Sequence, residues 1–349
     1  MINEAIAKLV ERVDLKETET EAVMEEIMTG RCTDAQIAGF LTALRMKGET
    51  VAEITACARV MRAKAVRIDA HGEINLDRED INFDHETIVD TCGTGGSNTK
   101  TFNISTATAF VVAGAGVKVA KHGNRAVSST CGSADVLEEL GINLKISPEK
   151  IEESLRLIGI SFLFAPLLHG AMKHVIAARK QLGIRTVFNI LGPLTNPAGA
   201  SAQVLGVYSR TLTDKLAGVL QKLGSRRAFV VHGADCLDEI TITGKTTVAE
   251  LKDQAISQYE IHPSDYGLPV ATLKDIRGGD AKQNAAIVLD VLHGLKGPRR
   301  DIVILNAAFA LMAADKVKNV EEGLQLAAGT IDNGSALAKL NALREFTLQ

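Results

Sequence analysis

Through the first 65 residues, apolar positions recur with a helical period. Ile37, Phe40, Leu41 and Leu44 fall at i, i+3, i+4 and i+7, which places them on one face of an α-helix. The opening stretch, MINEAIAKLVERVD, is amphipathic in the same way. Three Thr-x-x-Glu/Gln spacings stand at the heads of such patterns: Thr18 to Glu21, Thr33 to Gln36 and Thr50 to Glu53. In that spacing the threonine hydroxyl accepts an amide hydrogen and the longer side chain returns the bond. Gly30 and Gly48 stand where helices should stop. The pattern predicts a small all-helical domain over 1–65.

Residues 66–86 are polar and aperiodic, and are read as a linker or hinge. Beyond them the period changes. Short β-branched runs at 87–90, 117–120, 161–164, 202–208 and 228–233 alternate with helical patterns at 105–114, 132–140, 148–158, 168–182 and 212–223. Ser147-Pro148 marks a helix start. From 275 onward the pattern is helical again. Strand–helix alternation implies parallel strands covered by helices. The expected class is α/β: the small helical domain plus a larger α/β domain over 87–349, with a mostly parallel central sheet flanked by helices. The segment around 168–196 is expected to pack with the helical domain.

Charge and composition narrow the function. A net charge of −3 leaves no basic excess for neutralising nucleic-acid phosphates. Tryptophan is absent and phenylalanine and tyrosine number only 10 and 3, so stacking platforms for single strands are scarce. Five cysteines, an odd count without a CxxC pair, fit reduced thiols in the cytosol. Early charges argue against a signal peptide, and no apolar run reaches the ~20 residues of a membrane span. A cytoplasmic protein without nucleic-acid or membrane partners is expected.

The chemistry gathers in two stretches. The first, DTCGTGGSNTKTFNIST at 90–106, follows a strand and leads into a helix. Free backbone N–H groups and a helix dipole there suit an anion. Asn98 stands where a Walker loop or a dinucleotide fingerprint requires glycine, leaving a different phosphate cradle or a plain tight turn. Helix capping accounts for one of Thr101, Asn103, Ser105 and Thr106, not four. The second stretch, at 117–135, sets Lys121, His122, Asn124, Arg125, Ser128, Ser129 and Ser133 around two glycines after a strand. Loops at the carboxyl ends of parallel strands share one edge, so the two stretches together suggest a polyphosphate pocket. The plainer reading of Lys121 and Arg125 is solvated loop charge. His169 and His174 are five apart, not the four of a helical metal pair, and no zinc is expected.

DTCGTGG, TFNIST, KHGNR, FLFAP, RTVFNILGPLTNPA and DEIT occur in that order. Together they resemble the anthranilate phosphoribosyltransferase family over essentially the whole chain. The resemblance implies transfer of a phosphoribosyl group from 5-phosphoribosyl 1-diphosphate to anthranilate, with release of diphosphate, in tryptophan biosynthesis. It assigns Gly93, Gly95, Gly96, Ser97, Thr101, Asn103, Ile104, Ser105, Thr106, Lys121, Ser129 and Ser133 to phosphoribosyl diphosphate. It assigns Gly93, His122, Asn124 and Arg179 to anthranilate, and Ser105, Asp238 and Glu239 to Mg2+. Lys121, Asn124 and Arg179 are the implied catalytic set: Lys121 as a point charge on phosphate, Arg179 as a fork for the anthranilate carboxylate. A homodimer through the helical domain, and a separate anthranilate synthase chain as a possible partner, are further implications. Two positions depart from the family pattern. Ser97 stands where many members carry aspartate, and Leu167-Leu168-His169-Gly170 follows FLFAP in place of a polar or aromatic pair and His-Pro. The rival of the same fold is a pyrimidine nucleoside phosphorylase, which shares the glycine loop but has no need of Asp238 and Glu239 for magnesium.

Overall fold

A computed structural model describes residues 1–70, 87–97, 99–126 and 131–349. Four helices come first: α1 (Ile2–Val10), α2 (Glu17–Met28), α3 (Asp34–Lys47) and α4 (Val51–Lys64). Thr33 and Thr50 cap α3 and α4. Their hydroxyls accept from the amides of Gln36 and Glu53 at 3.3 and 3.2 Å, and those side chains accept from the threonine amides at 3.0 and 2.8 Å. Thr18 does not cap. It lies inside α2, and the returning bond runs from the Lys16 amide to Glu19 at 3.0 Å. A cap needs extended backbone just outside the helix, and Lys16 has it, with φ −68° and ψ 155°. Most of the expected linker, 71–86, lies outside the described residues.

The α/β part follows the alternation read from the sequence. Its strands are β1 (Ile88–Asp90), β2 (Lys118–Gly123), β3 (Ile160–Phe164), β4 (Ala202–Gly206) and β5 (Arg227–Gly233). They are parallel to one another, in the spatial order β3-β2-β1-β4-β5. Two further strands extend the sheet antiparallel beyond β5: β6 (Thr246–Lys252) and β7 (Ala255–Ile261). Neither shows in the sequence pattern. β7 is exposed along most of its length, and its hairpin turns through Asp253 and Gln254 at positive φ (50° and 58°), without the glycine that signals such turns. The result is a seven-stranded, mostly parallel sheet.

The intervening helices are α5 (Ile104–Gly114), α6 (Ser133–Glu139), α7 (Pro148–Leu157), α8 (Ala165–Leu168), α9 (Lys173–Leu182), α10 (Phe188–Leu191) and α11 (Thr213–Lys222). The C-terminal set is α12 (Ala281–Leu292), α13 (Pro298–Ala313), α14 (Val320–Asp332) and α15 (Ser335–Leu348). The single helix expected over 168–182 is interrupted: His169 leaves helical geometry (φ −117°, ψ 58°) and a 3-10 turn at Gly170–Met172 precedes α9.

Burial explains how the layers hold. On one sheet face Val89, Val119, Val204 and Phe229 join α5 and α13 in one apolar core. On the other, Leu205, Val230 and Ala249 share a core with Phe40, Leu41 and Ile54 of the helical bundle and with Val175, Ala178, Phe188 and Leu191. The bundle and the 175–194 segment thus cover the sheet together. No described helix is long and apolar enough to cross a membrane.

Candidate active site

The carboxyl ends of β1, β2, β4 and β5 meet at one edge, and close backbone packing pins their loops. Gly95 and Gly96 adopt φ of 69° and 81°, where a side chain is strained. A Cβ on Gly206, at the end of β4, would stand 1.7 Å from the carbonyl oxygen of Asp238, and one on Gly93 would stand 3.1 Å from it. The Thr94 amide donates to the Gly206 carbonyl at 2.8 Å, and the Gly95 amide to the Asp238 carboxylate at 2.8 Å. Arg185 closes the loop from outside. Its guanidinium donates to the Gly96 carbonyl at 2.6 Å and lies 4.3 Å from the centre of the Tyr208 ring.

Asn103 occupies the N-cap position of α5 without a side-chain capping bond, and Ser105 sits in that helix's first turn. The buried Lys121 ammonium reaches this point from β2, donating to the hydroxyls of Ser105 at 3.2 Å and Thr91 at 3.4 Å. Lys121 thus faces the head of α5 and the residue that follows β1, not open solvent. Below it Asp90 is fully buried and accepts from Asn196 at 2.7 Å and from the His122 amide at 3.2 Å. Burial raises the Asp90 carboxyl to about 6 against the opposing pull of Lys121. Asp90, Cys92 and His122 offer ligand atoms within 4.8 Å of one another, but Asp90 and both ring nitrogens of His122 are already hydrogen-bonded. Burial also pushes the Cys92 thiol far up. The cluster reads as a hydrogen-bonded floor.

Asp238 and Glu239 follow β5 on a loop whose backbone is clamped. Asn306 of α13 accepts from the Ile240 amide at 3.0 Å and donates to the Ile240 carbonyl at 2.8 Å. Asp235 accepts from the hydroxyls of Thr241 at 2.8 Å and Thr243 at 2.5 Å. Burial raises the Asp238 carboxyl above its ordinary range. Burial and the neighbouring Asp238 charge push Glu239 to about 8, opposed by Lys121 and by hydrogen bonding to Ser105. Two adjacent carboxylates held together at this cost, beside a serine hydroxyl, offer hard oxygen atoms of the kind that could hold a divalent cation.

On the β2–β3 side, His122 donates through Nδ1 to the Gly192 carbonyl at 3.0 Å. Its Nε2 is therefore the acceptor, and His169 donates to it at 3.1 Å. Burial keeps both rings neutral, lowering His122 to about 3 and His169 to about 4. Arg179 projects from α9 with its guanidinium 5.3 Å from the centre of the Phe188 ring, and burial lowers its pKa. Asn124 holds its own loop: its side chain accepts from the Arg125 amide at 2.7 Å and its carbonyl from the Ser133 hydroxyl at 3.4 Å. Arg125 is turned away to α6, with two bonds of 2.6 Å to Glu138 and one of 2.9 Å to Asp135.

Most of the residues singled out in the sequence thus surround one edge of the sheet. Gly93, Gly95, Gly96 and Ser97 form the loop; Ser97 bonds Thr99 at 3.0 Å. Thr101 is held by a bridge to Arg277. Ile104 is buried. Thr106 is fully buried as well, and its hydroxyl, unpartnered among the described residues, belongs to a small cavity lined also by Lys121 and Ser161. Ser129 lies outside the described residues. Sequence reasoning missed Thr91, Asp90, Gly206, Arg185 and Tyr208. Asp90, Thr91 and Arg185 lie in the quoted DTCGTGG and RTVFNILGPLTNPA stretches without a role being given to them, and Gly206 is a glycine inside an apolar strand run.

A helical bundle and a mostly parallel sheet, with a glycine-rich loop beside paired carboxylates, match the architecture of the glycosyl transferase family. The helical-bundle domain of the glycosyl transferase family matches residues 3–65 and its a/b domain residues 85–337. The chain is 59% identical over 348 residues to an anthranilate phosphoribosyltransferase of Citrifermentans bemidjiense, covering 99% of each chain. Among solved structures, it matches the anthranilate phosphoribosyltransferase of Thermus thermophilus with a TM-score of 0.90 at 40% identity, covering 99% of both chains. It matches the Saccharomyces cerevisiae enzyme in complex with PRPP and Mg with a TM-score of 0.88 at 29% identity, covering 99% of this chain and 98% of that one. The chain belongs to the anthranilate phosphoribosyltransferase family.

Proposed function

We propose that this enzyme transfers the phosphoribosyl group of 5-phosphoribosyl 1-diphosphate to the amine of anthranilate, giving N-(5-phosphoribosyl)anthranilate and diphosphate in L-tryptophan biosynthesis. The carrying observation is the junction of three loops: the Gly95 amide rests on Asp238, and the Lys121 ammonium reaches Ser105 at the head of α5. Amides, a helix N-terminus, one ammonium and two carboxylates converge where a magnesium-bound diphosphate needs donors and metal ligands. Ser105, Asp238 and Glu239 would hold the magnesium. When bound, it supplies positive charge to the diphosphate oxygens. The acidic pair favours this reading over a nucleoside phosphorylase.

The chain's own part is positioning and charge. The Lys121 ammonium, with those amides of the Gly93–Gly96 loop not already given to Gly206 and Asp238, neutralises charge that grows on the leaving diphosphate. One such preorganised donor is worth about 2.7–4 kcal/mol. Arg179 aligns the anthranilate carboxylate, so that the amine meets ribose carbon 1 from the face opposite the diphosphate. In-line alignment draws on the ~7–11 kcal/mol available from orientation. The amine is a weak base, neutral at pH 7, so no strong general base is required. Neutral His122 and His169 line the β2 side without adding charge.

The helical bundle is proposed to supply part of the anthranilate channel and a twofold dimer contact, checked by sedimentation. The function itself is tested by anthranilate fluorescence. Its loss must require protein, phosphoribosyl diphosphate and magnesium together. Unchanged fluorescence, with free base released from a pyrimidine nucleoside and phosphate, would move the assignment to the phosphorylase.

A further inference from the structure

Asn284 of α12 is 1% exposed and lies 181 residues from Asn103 in sequence, yet the two side chains meet. The polarity of that contact can be deduced. The Gly279 amide lies 2.7 Å from Asn284 Oδ1. A backbone amide only donates, so the atom facing it must be the oxygen. The other end of the Asn284 amide is therefore the NH2 group, and it faces Asn103 at 2.9 Å. Since Asn284 donates there, Asn103 must accept through Oδ1. The Asn103 NH2 group is left as the end turned away from Asn284. It is not consumed by the helix, because Asn103 makes no side-chain capping bond to α5.

The platform beneath is stiff. The Gly278 amide donates to the Lys100 carbonyl at 3.0 Å, the Phe102 amide to the Ile276 carbonyl at 3.3 Å, and Thr101 and Arg277 form a bridge. A Cβ on Gly278 would stand 2.5 Å from Asn284 Oδ1 and 2.7 Å from the Phe102 nitrogen. The 276–279 turn is therefore seated on the 100–102 segment, and Asn284 cannot turn its amide over without setting its NH2 group against the Gly279 N–H donor. An amide orientation fixed at a backbone group is thus relayed through two side chains to the head of α5.

We propose that Asn284 is a positioning residue which fixes the Asn103 amide with its NH2 donors available to the phosphoribosyl diphosphate oxygens. Without it the Asn103 amide is free to present its carbonyl, which repels an anion. The inference rests on the proposed reading of Asn103 as a contact for that substrate, and deepens it.

The test is a double-mutant cycle on the full-length enzyme. Phosphoribosyl diphosphate affinity is read by calorimetry with magnesium present, the KM for anthranilate by fluorescence, and the fold by circular dichroism. Asn284→Asp puts an acceptor where the donor stood. It should weaken phosphoribosyl diphosphate binding about tenfold or more, the scale of one lost or reversed bond to a charged group, while the anthranilate KM stays within about twofold. In an Asn103→Ala background the same change should add nothing. A full additional loss there would mean that charge or packing at 284 acts directly, which overturns the inference alone. An Asn103→Ala enzyme that binds phosphoribosyl diphosphate normally would overturn both the inference and the reading beneath it. If Asn284→Asp does not fold, Asn284→Ala enters the same cycle, with a smaller loss expected and the same absence of effect in the Asn103→Ala background.

Discussion

Gly206 ends β4 directly against the backbone of Asp238, so closely that an added methyl group would stand 1.7 Å from the Asp238 carbonyl oxygen. Two strand ends and the acidic loop are thereby locked at one point, since Gly206 also accepts from the Thr94 amide. Gly206→Ala must displace Asp238. The overpacking should cost about 1–3 kcal/mol of stability. Activity should fall by far more than that loss predicts, and the magnesium requirement should rise. Thermal unfolding and a magnesium titration of the same variant check the two parts.

Lys121 is the buried cation between Ser105 and Thr91. Lys121→Met keeps the apolar stem and removes the charge. The expected loss in kcat/KM for phosphoribosyl diphosphate is about 10²–10³, typical of one preorganised donor, with the fold retained. A loss below about tenfold would reassign Lys121 to a structural role.

Arg179→Ala should raise the KM for anthranilate much more than that for phosphoribosyl diphosphate. A bidentate charged contact is worth about 1.5–3 kcal/mol. Steady-state kinetics with each substrate varied in turn decides it, and equal effects on both would remove the carboxylate assignment.

Glu239, raised to about 8, holds its proton at neutral pH in the metal-free protein. Because the folded value lies above the unfolded one, its contribution to stability is fully present below about pH 4.5 and is lost as pH rises through about 8. Magnesium needs the carboxylate, so its binding should release a proton near neutrality and tighten as pH rises toward 8. Calorimetry in two buffers of different ionisation enthalpy measures the release. Glu239→Gln should abolish it and raise the magnesium requirement.

His122 and His169 carry the opposite sign. Their folded values, about 3 and 4, lie below the ordinary 6.5. On acidification the unfolded chain takes up protons that the folded chain refuses, so their contribution is lost progressively below about 6.5. Thermal melts between about pH 7 and pH 5, a window above most carboxylate titrations, should slope more steeply for the wild type than for His122→Asn with His169→Asn.

How much of this was legible follows from range. The caps at Thr33 and Thr50 were readable because both partners lie three residues apart; at α2 the same signal pointed to Thr18 when the extended residue was Lys16. The parallel strands showed as β-branched runs, because both faces are buried. β7 did not, since its exposed, polar residues resemble a loop and its turn has no glycine. At the site, the glycine loop and the loop carrying Lys121 announced themselves by composition. Arg185, Asn196 and Asn284 did not. Arg185 and Asn196 sit in the quoted RTVFNILGPLTNPA stretch, but the contacts of all three run to partners 76 to 181 residues away, which no local pattern assigns.

The clamped loop after β5 has a dimensional consequence. Asp238 and Glu239 cannot drift, because Asn306 grips the adjacent backbone and Asp235 ties the threonines beyond it. The glycine loop is fastened to that same fixed part through Gly95. The distance between the anion cradle and the cation seat is therefore built in, like the throat of a gauge. A leaving group one phosphate shorter or longer than diphosphate would reach one end and miss the other. On the proposed reading, this enzyme would select its leaving group by length as well as by charge.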